Sequence, residues 1–213
     1  MMDKTWLRDL SKPALSLAGF ALIGTALLAG IYWITAPRIA ANERQALLEQ
    51  VNTLVAAERY ENDPIADSVT LAAAELGSST PVTVYRARKQ GQAVAALFIT
   101  TAPNGYSGDI RMVVGVNADQ TLAGVRVLAH KETPGLGDKI DAGRSLWILG
   151  FKDKSLTNPN EAHWAVKKDG GEFDQFTGAT ITPRAVVGAV KRVLQWQQQH
   201  ADSLFQMPAQ EAP

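Results

Sequence analysis

The chain has 213 residues, no formal net charge and no cysteine, with 46% hydrophobic and 20% charged residues. The balance of 21 basic and 21 acidic residues argues against a nucleic-acid surface, and the hydrophobic content suffices for a packed core rather than disorder. The lack of cysteine excludes a disulfide framework, a thiolate-held iron–sulfur cluster and a thiol nucleophile. The three histidines lie far apart in the sequence, so no metal site is predicted.

The first predicted element is a membrane-spanning helix. Residues 13–37 form a run of 25 uncharged residues. At about 1.5 Å per residue such a helix reaches roughly 37 Å, enough to cross a hydrocarbon core of about 30 Å. Tyr32 and Trp33 suit the membrane interface, which favours a retained anchor over a cleaved signal peptide. The sequence therefore predicts a transmembrane helix at 13–36 behind a tail at 1–12.

The charges on either side of this helix indicate its orientation. Three basic residues precede the helix and two follow it closely: Lys4, Arg8 and Lys12 before it, Arg38 and Arg44 after it. The positive-inside rule then places the N-terminal tail in the cytoplasm. The rest of the chain is expected on the outer face of the membrane, which is the periplasm in a Gram-negative bacterium.

Beyond the anchor the pattern predicts a helix and then strands. Apolar residues recur at helical spacing over 38–60. Two β-hairpins follow, with polar turns at 89–92 and 117–120 between apolar runs. A loop punctuated by glycine and proline comes next at 130–143, and 147–151 is ambiguous between a strand and a short helix.

A second helix is predicted near the end of the chain. Thr182 is expected to cap it, and Pro183 is tolerated at the first helical position. Its buried face is expected to carry Val186, Val190 and Val193. With a disordered tail at 206–213, the fold class is α+β: a single extracytoplasmic domain of antiparallel sheet and helix over 37–205, on one N-terminal transmembrane helix.

Common catalytic motifs are missing from the sequence. It contains no P-loop, no G-x-S-x-G and no H-E-x-x-H, and no catalytic residue is predicted. Two polar stretches remain, at 130–139 and 174–182. On its residues alone the first is compatible with a surface loop. The second is compatible with a simple helix entry, although free backbone N–H groups and the helix dipole would also suit a phosphate there.

Both stretches resemble the FMN-binding domain family. The second stretch contains a pattern similar to the family's flavinylation motif: Asp174-x-x-Thr177-Gly178-Ala179-Thr180. The first contains a loop similar to that family's, with Gly-Tyr-Ser-Gly at 105–108 ahead of it: Glu132-Thr133-Pro134-Gly135-Leu136-Gly137. Together with a single anchor, the pattern is similar to the flavoprotein subunits of Rnf-type electron-transport complexes.

The resemblance implies a covalently bound cofactor. FMN would be attached through a phosphodiester to the side-chain oxygen of Thr180. Three residues would shape the turn before it: Thr177, Gly178 and Ala179. A separate flavin transferase that uses FAD would make the bond, because nothing in this chain looks able to do so. Asp174 is expected to serve recognition by that transferase or to stabilise the turn.

Three further residues are expected to contact the flavin: Glu132, Thr133 and Leu136. They would supply a polar rim and an apolar face, as ligand pockets require. Tryptophans such as Trp147 and Trp164 could stack on the flavin, although core packing is their more frequent use.

The function implied by the resemblance is electron relay in a bacterial inner membrane. The chain would be one subunit of an oxidoreductase complex that couples electron transfer from NADH or ferredoxin to ion translocation, with partner subunits and no independent catalytic activity. Two alternatives remain open at this point. One is the C subunit of the sodium-translocating NADH:quinone reductase, and the other is a non-redox periplasmic interaction module.

Overall fold

The computed structural model describes residues 4–210, with the side chains of 14–210 except those of residues 40 and 43. The chain divides into two compact units, Met1–Leu47 and Leu48–Pro213. The described residues form these helices and strands, in chain order: α1 (Lys4–Leu54), β1 (Ser68–Leu71), β2 (Val82–Lys89), β3 (Gln92–Gly105), β4 (Gly108–Asn117), β5 (Leu122–Ala129) and α2 (Ile181–Gln206).

The first unit consists of most of α1, and the apolar side chains between residues 14 and 34 are exposed. Within α1 the segment Ala14–Leu54 is long and apolar enough to cross a membrane, and its most apolar window has a mean hydropathy of 2.1 and no buried residue. Phe20 and Trp33 are 76% and 85% exposed. Because so much exposed apolar surface favours lipid over water, α1 has the properties of the predicted anchor. Of the tail expected at 1–12, residues 1–3 lie outside the described residues and the others belong to α1.

The second unit is built on a five-stranded antiparallel sheet in the order β1-β2-β3-β4-β5. Both predicted hairpins are confirmed, as the β2–β3 and β4–β5 pairs. Side chains alternate across the sheet, and one face packs against α2. The buried residues of this face and of α2 belong to one core cluster that includes Val84, Phe98, Val114, Val186, Val190 and Val193. The expected buried face of the second helix is therefore confirmed.

The opposite face of the sheet receives the end of α1. Val51, Leu54 and Val55 are 2%, 8% and 0% exposed. Leu54 lies against Gly115 and Gly124, where an added Cβ would meet its side chain at 3.3 and 3.0 Å. These two glycines therefore leave the space that the leucine occupies.

Two elements differ from the prediction. The helix expected over 38–60 ends at Leu54, because Ala56 adopts extended backbone (φ −56°, ψ 140°) and the chain turns so that Val55 is fully buried. Ala57–Arg59 then forms a separate 3-10 helix. The sequence also missed β1, which pairs with β2 from Ser68↔Tyr85 to Leu71↔Val82. The ambiguous stretch Trp147–Phe151 is a 3-10 helix.

The C-terminal end of α2 is held by a buried arginine. Arg86 is 1% exposed, and its Nη1 donates to the carbonyls of Leu204 and Met207 at 2.7 and 2.6 Å. Its Nη2 pairs with the Asp67 carboxylate. The guanidinium thus satisfies carbonyls that the helix cannot bond internally and opposes the negative end of the helix dipole.

Part of the tail expected to be disordered at 206–213 is bonded to the sheet. The backbone N–H of Gln210 donates to the Ser68 carbonyl at 2.8 Å, and the Ser68 hydroxyl donates to the Gln210 carbonyl at 3.1 Å. The N–H of Thr70 donates to Gln210 Oε1 at 3.1 Å. The tail up to residue 210 therefore extends the edge of the sheet beyond β1, and residues 211–213 lie outside the described residues.

Candidate functional site

The Thr-Gly-Ala-Thr motif forms a tight turn directly before α2. Phe176 and Ala179 are 7% and 9% exposed, and the Ala179 N–H donates to the Phe176 carbonyl at 3.0 Å. Thr177 and Gly178 form the exposed tip. Gly178 has a φ of +80°, a left-handed conformation that glycine adopts without steric cost. The sequence of the motif therefore suits the turn that it forms.

Thr180 is the residue immediately before α2 and is half-buried. Within α2, all of which the structure describes, its side chain makes no capping hydrogen bond. Its carbonyl accepts from the Arg184 N–H at 3.3 Å. The first N–H groups of a helix have no intrahelical acceptor. Thr180 thus stands at the end of α2 that carries unpaired backbone N–H groups and the positive end of the helix dipole, which would favour an attached phosphate.

Thr182 was expected to cap this helix, and that prediction is wrong. Thr182 is fully buried, and its hydroxyl donates to Glu132 Oε2 at 2.5 Å instead of bonding its own helix. The helix begins at Ile181, two residues before Pro183, the predicted first helical residue. The physical reason is the buried Glu132 carboxylate. A charged carboxylate forms stronger hydrogen bonds than a neutral acceptor, and a buried one requires donors, so the Thr182 hydroxyl bonds to it.

Glu132 joins three segments of the fold. It is 5% exposed, and besides Thr182 it accepts the backbone N–H of Ser107 through Oε1 at 3.0 Å. Its own N–H donates to His130 Nδ1 at 3.0 Å. The carboxylate therefore ties the β3–β4 turn, the loop after β5 and the first turn of α2 to one another.

The loop after Glu132 folds closely around this carboxylate. The Thr133 carbonyl accepts the N–H groups of Leu136 and Gly137 at 3.1 and 3.2 Å. Gly135 has a φ of +79°, and its N–H donates to Asp138 Oδ1 at 2.8 Å. The turn leaves Leu136 43% exposed, with its side chain near the Gly178 turn.

These segments enclose a pocket of about 170 Å³. It is lined by Tyr106, Glu132, Thr133, Leu136, Gly137, Gly178 and Ala179. Five of the residues named from sequence as flavin-site residues line this pocket together, although they come from stretches far apart in the chain. Thr177 and Thr180 are outside the lining, at the tip of the turn and at the start of α2.

Two lining residues, Tyr106 and Gly137, are absent from the predicted contacts. Both belong to the quoted motifs, so the signal was present in the sequence. Tyr106 is 68% exposed at the pocket mouth. Gly137 is buried, and its role is to let the loop approach Glu132.

The residues of the pocket fit FMN. Leu136 and Tyr106 offer apolar and aromatic surface at its mouth, Glu132 and Thr133 offer a few polar groups, and this mixture is typical of cofactor pockets. The volume is below the roughly 300 Å³ of a closed pocket for a small molecule, so the pocket would hold only part of FMN.

Three further residues named from the sequence, Asp174, Trp147 and Trp164, form contacts outside the pocket lining. Asp174 is exposed and pairs with Lys167 Nζ at 2.6 Å, while its carbonyl accepts from Trp147 Nε1 at 2.9 Å. Trp147 packs edge-on against Phe176 at 5.2 Å. Trp164 is 3% exposed in the core. These contacts hold the turn in place from its outer side.

An exposed ion pair lies beside the start of α2. Arg184 Nε and Nη2 donate to Asp169 Oδ2 and Oδ1 at 2.6 and 2.8 Å. The hydrogen bonds from Arg184 lower the pKa of the Asp169 carboxyl below its ordinary value. The guanidinium nearest in sequence to Thr180 is therefore already bonded to a carboxylate.

The fold and the pocket define a membrane-anchored domain of the FMN-binding type, and comparison with known proteins agrees. Residues 105–195 match the family model of the FMN-binding domain, and residues 1–54 match that of the RnfG N-terminal region. The G subunit of the ion-translocating oxidoreductase complex of Pseudoalteromonas atlantica is 50% identical over 197 residues, 92% of each chain. The G subunit of the Vibrio cholerae complex is 46% identical over 203 residues, 95% of this chain and 97% of the relative.

The protein of the same name from Pseudomonas aeruginosa is 48% identical over 196 residues, 92% of each chain. Identity of this degree over nearly the whole length shows common descent and a common fold. The chain belongs to the family of G subunits of ion-translocating oxidoreductase complexes. The matches favour this family over the C subunit of the sodium-translocating quinone reductase and over a non-redox interaction module.

Proposed function

We propose that this chain is the electron-transfer subunit of an ion-translocating oxidoreductase complex in a bacterial inner membrane, with FMN bound covalently to Thr180. The observation that carries the proposal is the convergence of the Glu-Thr-Pro-Gly-Leu-Gly loop and the Thr-Gly-Ala-Thr turn on one pocket beside Thr180. The relatives are each named as one subunit of a complex. The translocase activity belongs to that complex, and the isolated chain is expected to have no turnover of its own.

Each residue has a defined task in this proposal. Thr180 supplies the oxygen of the linkage, and the first turn of α2 supplies backbone N–H groups toward the remaining phosphate charge. Gly178 would let the backbone of the turn approach the phosphate, and Leu136 and Tyr106 would offer apolar and aromatic surface to the ring. When bound, FMN supplies the capacity to accept and release electrons.

Attachment requires a flavin transferase as a partner. In the transfer from FAD, a bond forms between Thr180 Oγ1 and the phosphorus of the FMN half, the pyrophosphate bond breaks, and AMP leaves while the hydroxyl proton is released. We infer that Asp174 contributes to recognition by the transferase, because its carboxylate is 70% exposed and it lies six residues before Thr180 in the same motif.

The soluble domain lies in the periplasm in this proposal, supported by the excess of basic residues before the helix. A reporter that is active only in the periplasm, fused after Pro213, is expected to be active. A cytoplasmic reporter at the same position is expected to be silent, and the reverse pattern would overturn the orientation.

The linkage is tested by substitution of Thr180. Wild-type protein made together with a flavin transferase should keep flavin fluorescence on a denaturing gel, because only a covalent bond survives loss of the fold. Thr180→Val should lose it entirely. Thr177→Val is the comparison within the motif: it removes an exposed hydroxyl three residues away and should keep a fluorescent band, at full or reduced yield, because the site of attachment is unchanged. A fluorescent Thr180→Val band would refute the acceptor, and a wild-type band without fluorescence would refute covalent FMN.

A further inference from the structure

Glu132 is a buried carboxylate on the wall of the pocket, and its hydrogen-bond donors are neutral. The donors are the Thr182 hydroxyl at 2.5 Å and the Ser107 N–H at 3.0 Å. Among the side chains that the structure describes, no Lys, Arg or His forms an ion pair with it.

The charged groups on the surrounding segments are engaged elsewhere. At the β3–β4 turn, Asp109 accepts from the Ser79 hydroxyl at 2.7 Å and Tyr106 faces the pocket mouth. In α2, Arg184 is bonded to Asp169. Residues 103–109 contain no Lys, Arg or His, and the cation of α2 nearest in sequence to Thr182 is bonded to Asp169.

In the loop that contains Glu132, His130 Nδ1 accepts the backbone N–H of Glu132 at 3.0 Å. Asp138 accepts the Gly135 N–H and lies 3.8 Å from Arg144. Lys131 is exposed and Lys139 is half-buried, and neither forms an ion pair with Glu132 among the described side chains. The carboxylate in the pocket wall therefore has no cationic partner among the described side chains.

We propose that the charge of Glu132 lowers the reduction potential of the flavin held in this pocket, which makes Glu132 a determinant of where the subunit stands in the electron path. The inference rests on the proposed function. Reduction brings negative charge to the flavin ring, and a neighbouring carboxylate in a poorly solvated wall opposes it. Thr182 and Ser107 act as positioning residues, because their bonds keep the carboxylate on the wall rather than in solvent.

The test compares Glu132→Gln with wild type in the full chain, loaded with FMN by a flavin transferase and purified in detergent. Glutamine keeps the size and removes the charge. Two readouts are taken: flavin fluorescence on a denaturing gel, and the midpoint potential from a spectroscopic redox titration. We expect a fluorescent band and a potential shifted upward from wild type. Asp109→Asn is the matched control, since it removes an exposed carboxylate from the neighbouring turn and should shift the potential less.

The outcomes separate this inference from the proposed function. A fluorescent Glu132→Gln band with the potential of wild type, or with a shift no larger than that of Asp109→Asn, overturns the role of Glu132 and leaves covalent FMN standing. A wild-type band without fluorescence overturns the proposed function itself.

A second variant keeps the inference testable if Glu132→Gln does not fold. Thr182→Val keeps the carboxylate and removes a donor that holds it on the pocket wall. The carboxylate is then free to turn away from the pocket, so the midpoint potential, measured at one fixed pH, should shift upward from that of wild type. A Thr182→Val potential equal to that of wild type overturns the inference.

Discussion

Gly137 and Glu132 approach each other so closely that glycine is the residue that fits. A Cβ added to Gly137 would lie 2.5 Å from Glu132 Oε2 and 2.9 Å from Thr182 Oγ1. Both neighbours are buried and hydrogen-bonded to each other, so neither can move without breaking that bond. The second glycine of the Gly-Leu-Gly loop thus permits the contact that joins the loop to α2.

Gly137→Ala should therefore disrupt the pocket. Overpacking of a close-packed interior costs about 1–3 kcal/mol, and the displaced hydrogen bond adds to this. We expect a lower midpoint for urea unfolding of the detergent-solubilised protein. Gly150→Ala is the control, because a Cβ there would meet nothing within 4 Å. Equal midpoints for the two variants would contradict the close packing around Glu132.

Thr182→Val should destabilise the domain through the carboxylate rather than through a helix cap. The substitution keeps the branched shape but leaves Glu132 Oε2 without its hydroxyl donor. A buried acceptor left without a partner costs about 1–3 kcal/mol. Thr177→Val, at an exposed position, should change the unfolding free energy by less than about 0.5 kcal/mol. Denaturant unfolding measures both, and a Thr182→Val value as small as that of Thr177→Val would show that the bond contributes little.

Much of the fold follows from local sequence patterns. The hairpins at 89–92 and 117–120 are predictable because polar turn residues separate apolar runs, and the valines of α2 mark its buried face. The strand β1 escapes prediction because its four residues, Ser68–Leu71, are too few to show a period, and it exists through pairing with β2. The tail up to Gln210 is ordered by bonds to Ser68, which lies 142 residues away in sequence.

In the candidate site, too, the local features could be predicted from the sequence and the long-range contacts could not. The two motifs and the position of Thr180 before a helix are visible in the sequence. The role of Thr182 is not, because the nearby proline makes it resemble a cap, whereas its true partner, Glu132, lies 50 residues away. Contacts of this kind depend on how the sheet brings distant segments together, and a single sequence contains no local trace of them.

Arg86→Met should weaken the whole second unit. The variant keeps much of the apolar stem but removes the guanidinium that binds Asp67 and the carbonyls of Leu204 and Met207. Loss of one partner of a buried ion pair costs about 3–5 kcal/mol. We expect the lower end, about 3 kcal/mol, because Arg88 also pairs with Asp67 at 2.6 Å. Arg111→Met, at an exposed position, should leave the urea midpoint nearly unchanged. A small effect of Arg86→Met would mean that other groups satisfy these carbonyls.

The exposed pair of Asp169 and Arg184 should give a pH dependence restricted to acid. Hydrogen bonds from Arg184 lower the pKa of the Asp169 carboxyl below its ordinary 3.8. A carboxyl whose pKa is lower in the folded than in the unfolded state stabilises the fold above the unfolded value, and this contribution disappears as the pH falls through the folded value. The stability difference between wild type and Arg184→Gln should therefore be constant from neutral pH down to about pH 5. It should shrink below about pH 4, where the carboxyl becomes protonated.

Urea unfolding across this range measures the difference, and NMR titration of the Asp169 carboxyl carbon should show its pKa moving upward in Arg184→Gln. If the carboxyl titrates at the same pH in both proteins, the ion pair does not form in solution.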